Sequence, residues 1–509
     1  MEQSAPSITA VSKFKTKPYD HQLECLNLHG DKVAFALLAE MGTGKTWIII
    51  NNIAELWARG ELDAVIVFAP NGVHTNWTLI ELEKHMPDWV RYRSAAWTAS
   101  PNKREKAQLE SLFDSKDSTE LRVLTMNWEG LQHKRSMEFA EKFCNTSRRL
   151  MIVGDEIDAV KNPTALRTKN LMKLKKFSAW RRGMTGTPVD GSPFSLFAPF
   201  TFLDETILGT TSYFAFKSEY AEMLQPGNPL LDHIMQKTRA RFVPQVVALG
   251  ANGRPKYRNL DKLSRLIAPH SFRVLKKDCL DLPEKIYKTV IFDMTPAQKA
   301  IYEKAKDECR LVFEGNETPF NKLAAMTKLS QITSGYYIHP LSEQPVRIEG
   351  DTPKLDLLVD RVQAILDQGR KVIIWARYRI EIKDIVARLS KVEGAVPVEY
   401  HGEIKKGERI EAIESFERGD ANVFVGNQQA GGTGITLVAA SYVIYFSNNF
   451  SMRDRLQSED RAHRIGQTEN VTYINIAAKG TIDEHVIRTL GNKKDVADEI
   501  VDIGLEMFK

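Results

Sequence analysis

Four stretches of this 509-residue chain carry residue types suited to phosphate chemistry. AEMGTGKT at 39–46 places Gly42 and Gly44 where the backbone must turn and bring N–H groups close to anionic oxygens. Lys45 would reach the β- and γ-phosphates of a nucleotide, and the Thr46 hydroxyl would ligate Mg²⁺. The competing reading is a glycine turn with a solvated lysine. DEID at 155–158 ends the apolar run LMIVG: Asp155 would hold the metal through water, and Glu156 would orient or deprotonate an attacking water. Alone, it reads equally well as a polar strand-to-helix turn. QSEDRAHRIGQ at 457–467 spaces Arg461 and Arg464 three apart, which on a helix puts both guanidinium groups on one face. With no second phosphate loop in that half, the economical expectation is that these arginines complete the first site from across a cleft; a lone RxxR is otherwise a solvated helix face. NQQAGGTGITLVAA at 427–440 carries Gly431, Gly432 and Gly434, which permit close backbone approach to DNA phosphate or to that cleft.

The elements that must position these residues are legible as apolar runs. Val33–Ala39, Ala64–Ala69, Leu121–Thr125, Leu150–Val153 and Gly183–Thr185 form one block. Lys371–Ala376, Val396–Tyr400, Val423–Val425, Tyr442–Phe446 and Val471–Ile476 form another. Short Val- and Ile-rich runs ended by Gly, Pro or Asp, with helical patterns between them, predict two doubly wound parallel-sheet α/β lobes. The expected division is lobe one at 1–205, helical insertions and a linker at 206–345, lobe two at 346–480, and brace helices at 481–509. Helices are expected over Pro296–Phe313 and Pro319–Ser334.

Composition bounds the rest. Hydrophobic residues make up 43% and charged residues 27%, and the net charge is +5, which permits nucleic-acid binding without demonstrating it. Cys25, Cys144, Cys279 and Cys309 form no CxxC pair, so neither zinc nor a disulfide framework is expected. No apolar run reaches the ~18 residues of a membrane span. The N-terminus lacks the pattern of a secretory signal, so a soluble intracellular protein is expected.

Taken together, the motifs resemble those of the Swi/Snf-type DNA translocases, a branch of the superfamily-two helicase-like ATPases, in the family's order and over nearly the whole chain. KPYDHQ at 17–22 resembles the Q motif and AEMGTGKT the phosphate-binding motif. VFAPNGVHTNW at 67–77 and LTMNWEGL at 124–131 resemble DNA-facing motifs. DEIDAVKNP at 155–163 and MTGTPVDGSPFSLF at 184–197 resemble motifs II and III. FRVLKKDCLDLPEKIYKTVIFDMTPAQKAIYEKA at 272–305 resembles the family's inter-lobe linker, which general helicases lack. HGEIKKGERIEAIESF at 401–416 and QSEDRAHRIGQ follow lobe-two motifs, and TIDEHVIRTLGNKK at 481–494 resembles the C-terminal brace. Departures stand at Asp158, Asp190-Gly191 and Gln428-Gln429.

The resemblance implies two RecA-like lobes and a compact motor using ATP and Mg²⁺, of the kind found in bacteria and their viruses, hence a bacterial or viral-host cytoplasm, with the nucleus as the alternative. It implies nucleotide contacts from Gln22, Gly42, Thr43, Gly44, Lys45, Thr46, Gly432, Gln457, Arg461 and Arg464, with Gln22 on the adenine edge and Gln457 positioning the arginines. Metal would fall to Thr46 and Asp155, and catalysis to Lys45, Asp155, Glu156, Arg461 and Arg464. The DNA-contact candidates are Asn76, Trp77, Asn127, Thr185, Gly186, Thr187, Gly431, Thr433 and Gly434. The implied activity is DNA-dependent ATP hydrolysis coupled to translocation on duplex or branched DNA, with remodelling, annealing or branch migration as output and protein partners supplying specificity. Two alternatives are a strand-separating DNA or RNA helicase and a nucleotide-gated binding scaffold with weak turnover. Trp77 and Trp128 would lie near the DNA path or simply pack. His21, His401 and His463 read as structural or polar contacts, Phe194–Phe202 as core, and Lys173–Lys176 with Arg181-Arg182 as a solvated basic face.

Overall fold

The computed structural model describes residues 13–113, 120–186, 192–238, 245–250, 255–279, 282–314, 319–339, 342–431 and 435–491. The chain divides into two compact units, one ending at Cys279 and the other beginning at Leu280.

The first unit is built on strands β1 (Ala34–Ala39), β2 (Ala64–Ala69), β3 (Tyr92–Ala96), β4 (Leu121–Asn127), β5 (Leu150–Asp155), β6 (Ser178–Thr185) and β7 (Ser271–Val274). They form one parallel sheet in the order β3-β4-β2-β5-β6-β1-β7. Both faces are covered. Phe35, Leu37, Val65, Val67 and Val153 face one core with the helix Lys45–Ala58, whereas Ala36, Ile66, Phe68, Leu124 and Ile152 face a second. Two-sided burial explains why the central strands read as continuous apolar runs.

The second unit holds β8 (Lys285–Phe292), a short antiparallel pair β9 (Tyr336–Ile338) and β10 (Pro345–Arg347), and then β11 (Lys371–Trp375), β12 (Pro397–Tyr400), β13 (Val423–Gly426), β14 (Ala440–Tyr445) and β15 (Val471–Ala478). Its parallel sheet runs β12-β13-β11-β14-β15-β8. The helices Pro296–Glu314 and Pro319–Thr333 meet the expected boundaries closely. Tyr302, Met326 and Leu329 pack there with Ile482, Val486 and Leu490 of the helix Ile482–Gly491, which braces this unit.

The stretch 206–345 is not helical insertion and linker alone. Its β7 joins the first sheet beside β1, and its β8 lies along the whole of β15 in the second. A second correction concerns the basic face. Arg182 is fully buried on β6 and donates to Asn52 Oδ1 at 2.9 Å and to the carbonyls of Val33 and Gly30. Arg181 donates to the Leu203 carbonyl. Both lie on a strand between β5 and β1, so their charges serve the fold. The aromatic run behaves as core: Phe197, Phe200 and Phe202 are buried. Among the described residues, no helix is long and apolar enough to cross a membrane.

Candidate nucleotide and metal site

Three adjacent strands, β5, β6 and β1, end side by side, and the phosphate-type residues of the first unit follow those ends. This is the edge of a parallel sheet at which ligands bind. After β1 the loop turns through Gly42 (φ 79°) and Gly44 (φ 81°), a left-handed backbone that favours glycine. Gly44 caps the helix Lys45–Ala58, so the first free N–H groups of a fourteen-residue helix face the loop. Thr43 donates its hydroxyl to the Glu40 carbonyl at 2.7 Å. Lys45 is buried and donates to the Ala39 carbonyl at 2.9 Å and, more weakly, to that of Glu40 at 3.5 Å. Thr46 follows it in the first helical turn, half-buried.

The Q-motif residues brace this loop directly. His21 Nε2 is 2.8 Å from the Thr43 carbonyl. Gln22 donates to the Gly44 carbonyl at 3.3 Å and accepts from the Tyr19 N–H at 2.8 Å. A side chain at residue 44 would collide with the Gln22 amide at 2.1 Å. The loop and Gln22 are therefore packed as one piece.

Asp155 ends β5 and Glu156 follows it with φ 52°, a left-handed conformation that is uncommon for a glutamate. The turn aims the Glu156 carboxylate at β6, where Oε2 accepts from the Thr185 hydroxyl at 3.2 Å. Gly186 lies over the phosphate loop: a Cβ there would stand 3.0 Å from Met41 Cγ and 3.6 Å from Lys45 Nζ. Thr185 and Gly186, candidates for DNA contact, thus sit against the carboxylate and the lysine. Burial first, and then the Glu156 charge, push the Asp155 carboxyl up to about 7, against the lowering influence of the Trp77 N–H and Lys45. A buried pair of carboxylates beside a hydroxyl-bearing helix start is a donor set that suits a hard divalent cation such as Mg²⁺.

Among the DNA candidates, Asn76 and Asn127 are half-buried at the ends of their segments. Trp77 is 1% exposed and donates its indole N–H to Asp155 Oδ2 at 2.9 Å, so it offers no surface to a nucleic acid and is corrected to an internal contact. Trp128, equally buried, donates to the Asp155 carbonyl at 2.8 Å. Sequence periodicity flags such tryptophans as buried but not their hydrogen-bond partners.

In the second unit, Gln457 and Arg461 lie buried on the helix Met452–Ala462. Arg464 lies beyond the end of that helix and does not share its face as expected. The chain leaves the helix at His463 and turns at Gly466 (φ 102°), while the Gln467 amide caps the Ala462, Val438 and Ala440 carbonyls. The two arginines still converge: Arg461 Nη1 and Arg464 Nη1 both donate to the Ile435 carbonyl, at 3.2 and 3.4 Å. Ile435 follows the glycine-rich loop; Gly431 ends the short helix Gln428–Gly431. Gly432, Thr433, Gly434 and, in the first unit, Thr187 lie outside the described residues.

Beneath the arginine helix lies a network that motif reading missed. Buried Glu459 accepts from Arg455 at 2.8 Å, Lys285 at 3.0 Å and the Tyr287 hydroxyl at 2.7 Å. Arg455 stacks 3.5 Å over the Tyr445 ring and donates to Asn448 and Asn475. The helix is thereby tied to β8, β14 and β15. A Lys at 285 and a Tyr at 287 on an edge strand, with an Arg-x-x-x-Glu pair on a helix, were the available signal. His401 and His463 make polar contacts, to Glu399 and to the Pro283 carbonyl, as expected.

Comparison with known proteins identifies the family. The model of the SNF2-related domain matches residues 21–337, and that of the helicase conserved C-terminal domain matches 354–466. A Bacillus subtilis protein named "Putative ATP-dependent helicase/translocase YwqA" is 26% identical over 91% of this chain and 46% of its own length. The zebrafish (Danio rerio) "Chromodomain-helicase-DNA-binding protein 1-like" is 24% identical over 91% of this chain and 42% of its own. The chain thus spans less than half the length of these relatives. Among solved structures, the Sulfolobus solfataricus SWI2/SNF2 ATPase core in complex with dsDNA aligns at 24% identity over 94% of this chain and 92% of that one, with a TM-score of 0.40. With its first family model covering more than half of the sequence, and the motif residues gathered as described, the chain belongs to the SNF2-related family.

Proposed function

We propose that this chain is a DNA-dependent ATPase that couples ATP hydrolysis to translocation on double-stranded DNA, with remodelling, annealing or branch migration as its output. The observation that carries the reading is the convergence of the phosphate loop, Asp155-Glu156 and Thr185-Gly186 at the ends of three neighbouring strands. The names of the relatives, an ATP-dependent helicase/translocase and a helicase-DNA-binding protein, support the same substrates.

In this reading the N–H groups of the glycine loop and Lys45 bind the phosphates. Lys45 exchanges its bonds to the Ala39 and Glu40 carbonyls for phosphate oxygens. Glu156, aimed by its left-handed backbone and by Thr185, orients the attacking water and takes its proton. Thr46 and Asp155 would hold Mg²⁺, whose charge neutralises that developing on the phosphate oxygens. Arg461 and Arg464 are assigned to the same nucleotide on the strength of their motif and of their convergence on one carbonyl. DNA contacts are proposed through Asn76, Asn127 and the glycine-rich loop at 431–434, mainly to phosphates, so binding should be salt-sensitive and nearly independent of sequence.

The test is the steady-state ATPase rate with Mg²⁺ on no nucleic acid, single-stranded DNA, duplex DNA, forked DNA and RNA. Stimulation by duplex or forked DNA is expected. Stimulation by single strands or RNA alone would replace this reading with a strand-tracking helicase, and no turnover on any of them would replace it with a nucleotide-gated scaffold.

A further inference from the structure

The dipeptide Asn-Trp occurs at 76–77 and again at 127–128, and the fold uses both copies in the same way. One follows β2 and the other ends β4, the two strands next to β5 on one side. In each pair the asparagine is half-buried and the tryptophan turns inward to Asp155. Trp77 takes carboxylate oxygen Oδ2, and Trp128 takes the backbone carbonyl. Trp77 opens a π-helical turn, Trp77–Glu81, a rare widening of the helix that concentrates at functional sites. Trp128 is stacked on Phe68 of β2, with ring centroids 5.6 Å apart.

Burial alone does not account for this arrangement. A buried indole N–H needs an acceptor, but a carbonyl would serve, as it does for Trp128. Trp77 instead spends its donor on the carboxylate of Asp155, beside which the carboxyl groups of Glu156 and Glu81 stand close enough to act on it. The bond restrains the rotation of the Asp155 side chain and takes up one lone pair of Oδ2.

We propose that Trp77 is a positioning residue for Asp155, and that the two Asn-Trp pairs link the DNA-facing segments after β2 and β4 to the metal-binding carboxylate. The proposal rests on the reading of Asp155 as that carboxylate. DNA held at Asn76 and Asn127 shifts the adjoining tryptophans, and the shift is felt at Asp155 as a change in metal affinity. By linkage, metal and nucleotide bound at Asp155 change DNA affinity by the same factor.

The test is Mn²⁺ binding to the full chain in the presence of ADP, read by loss of the free-ion EPR signal, with and without duplex DNA. Trp77→Phe keeps a buried ring and removes the N–H. It should raise the Mn²⁺ midpoint about tenfold and abolish the change in midpoint that DNA produces in the unsubstituted chain. Trp375→Phe, at a fully buried tryptophan of β11, should leave both unchanged. If Trp77→Phe fails to fold, a benzothienyl-alanine at position 77 keeps the ring shape and removes only the N–H; the same rise is expected. An unchanged midpoint in the variant overturns the positioning role. Absence of any DNA-dependent change in the unsubstituted chain overturns the link. Absence of ADP-supported Mn²⁺ binding in the unsubstituted chain overturns the underlying reading of Asp155, a result distinct from the other two.

Discussion

The phosphate-type site of the first unit and the arginine helix of the second treat buried charge in opposite ways. In the first, Lys45 rests on carbonyl oxygens, and Asp155 and Glu156 stand side by side with neutral donors from Trp77 and Thr185. In the second, Glu459 is closed by Arg455, Lys285 and Tyr287. A carboxylate with two cations and a phenol has its charge satisfied within the fold, which suits a scaffold. Two adjacent carboxylates with a lysine parked on backbone oxygens have exchangeable bonds, which suits a place where charged ligands come and go. The difference separates groups that act from groups that hold.

The largest expected effects break the comparison at its acting end. Lys45→Ala and Glu156→Gln should each lower DNA-stimulated ATP hydrolysis by about 10⁴-fold while leaving a folded chain. Steady-state turnover with far-UV circular dichroism checks both, and a variant that keeps most of its turnover would remove the first unit from catalysis. Next comes Arg461→Lys. A point charge lacks the planar fork of a guanidinium, so kcat should fall by about 10³-fold with nucleotide affinity little changed. An equal fall in affinity and none in kcat would make Arg461 a holding residue like its neighbour Arg455.

Much of this site was legible because its residues answer local demands. Left-handed turns ask for Gly42 and Gly44, a strand end asks for Asp155, and both stand in the chain as short patterns. The central strands were legible for a related reason: burial on both faces leaves unbroken apolar runs. The strands that escaped are at sheet edges. β3 reads YRSAA, β7 reads SFRV and β8 reads KIYKTVIF, each mixing polar residues into a half-covered surface. Without β7 and β8, the segment 206–345 looks like pure insertion and linker. Arg182 misled in the other direction. A run of basic residues looks solvated, yet its residue 182 falls on the central strand β6, where only long-range partners reveal its burial. The convergence of Trp77 and Trp128 was out of reach altogether, since hydrophobic pattern gives burial and not the acceptor of a buried N–H.

The holding network should fail by unfolding and not by turnover. Glu459→Ala leaves buried Arg455 without its carboxylate and Lys285 with only Asp460, 3.6 Å away, at a cost of about 3 kcal/mol in denaturant unfolding of the second unit. Burial alone would raise the Glu459 pKa, but Lys285 and Arg455, with the hydrogen bonds from Arg455 and Tyr287, more than offset it and hold the carboxyl below its ordinary 4.5. The sign follows from linkage. The unfolded chain binds the proton more readily, so this contribution is complete above about 4.5 and is lost as pH falls through the lower folded value. Unfolding midpoints of the unsubstituted chain should therefore drop below that pH more steeply than those of Glu459→Ala.

Glu40 sharpens the comparison most finely, because it holds within the acting site. Its carbonyl accepts from Thr43 and Lys45 inside the phosphate loop. Its own N–H donates to the Val274 carbonyl at 3.0 Å, and its carboxylate accepts from the Lys276 N–H at 2.7 Å, just past β7. One residue thus ties the loop to the segment through which the chain leaves the first unit. Unlike Glu459, this half-buried carboxylate meets a neutral backbone donor and, among the described residues, no cation, so its charge only strengthens one hydrogen bond. Glu40→Gln keeps an acceptor oxygen and forfeits only the charge assistance, about 1 kcal/mol, seen as a lower denaturant midpoint with an unchanged slope. Glu40→Ala leaves the Lys276 N–H without its acceptor and should cost about twice as much. A loss from Glu40→Gln as large as that from Glu459→Ala would mean that the phosphate loop, too, is held by charge, and the contrast between the two units would then lie only in which groups meet a ligand.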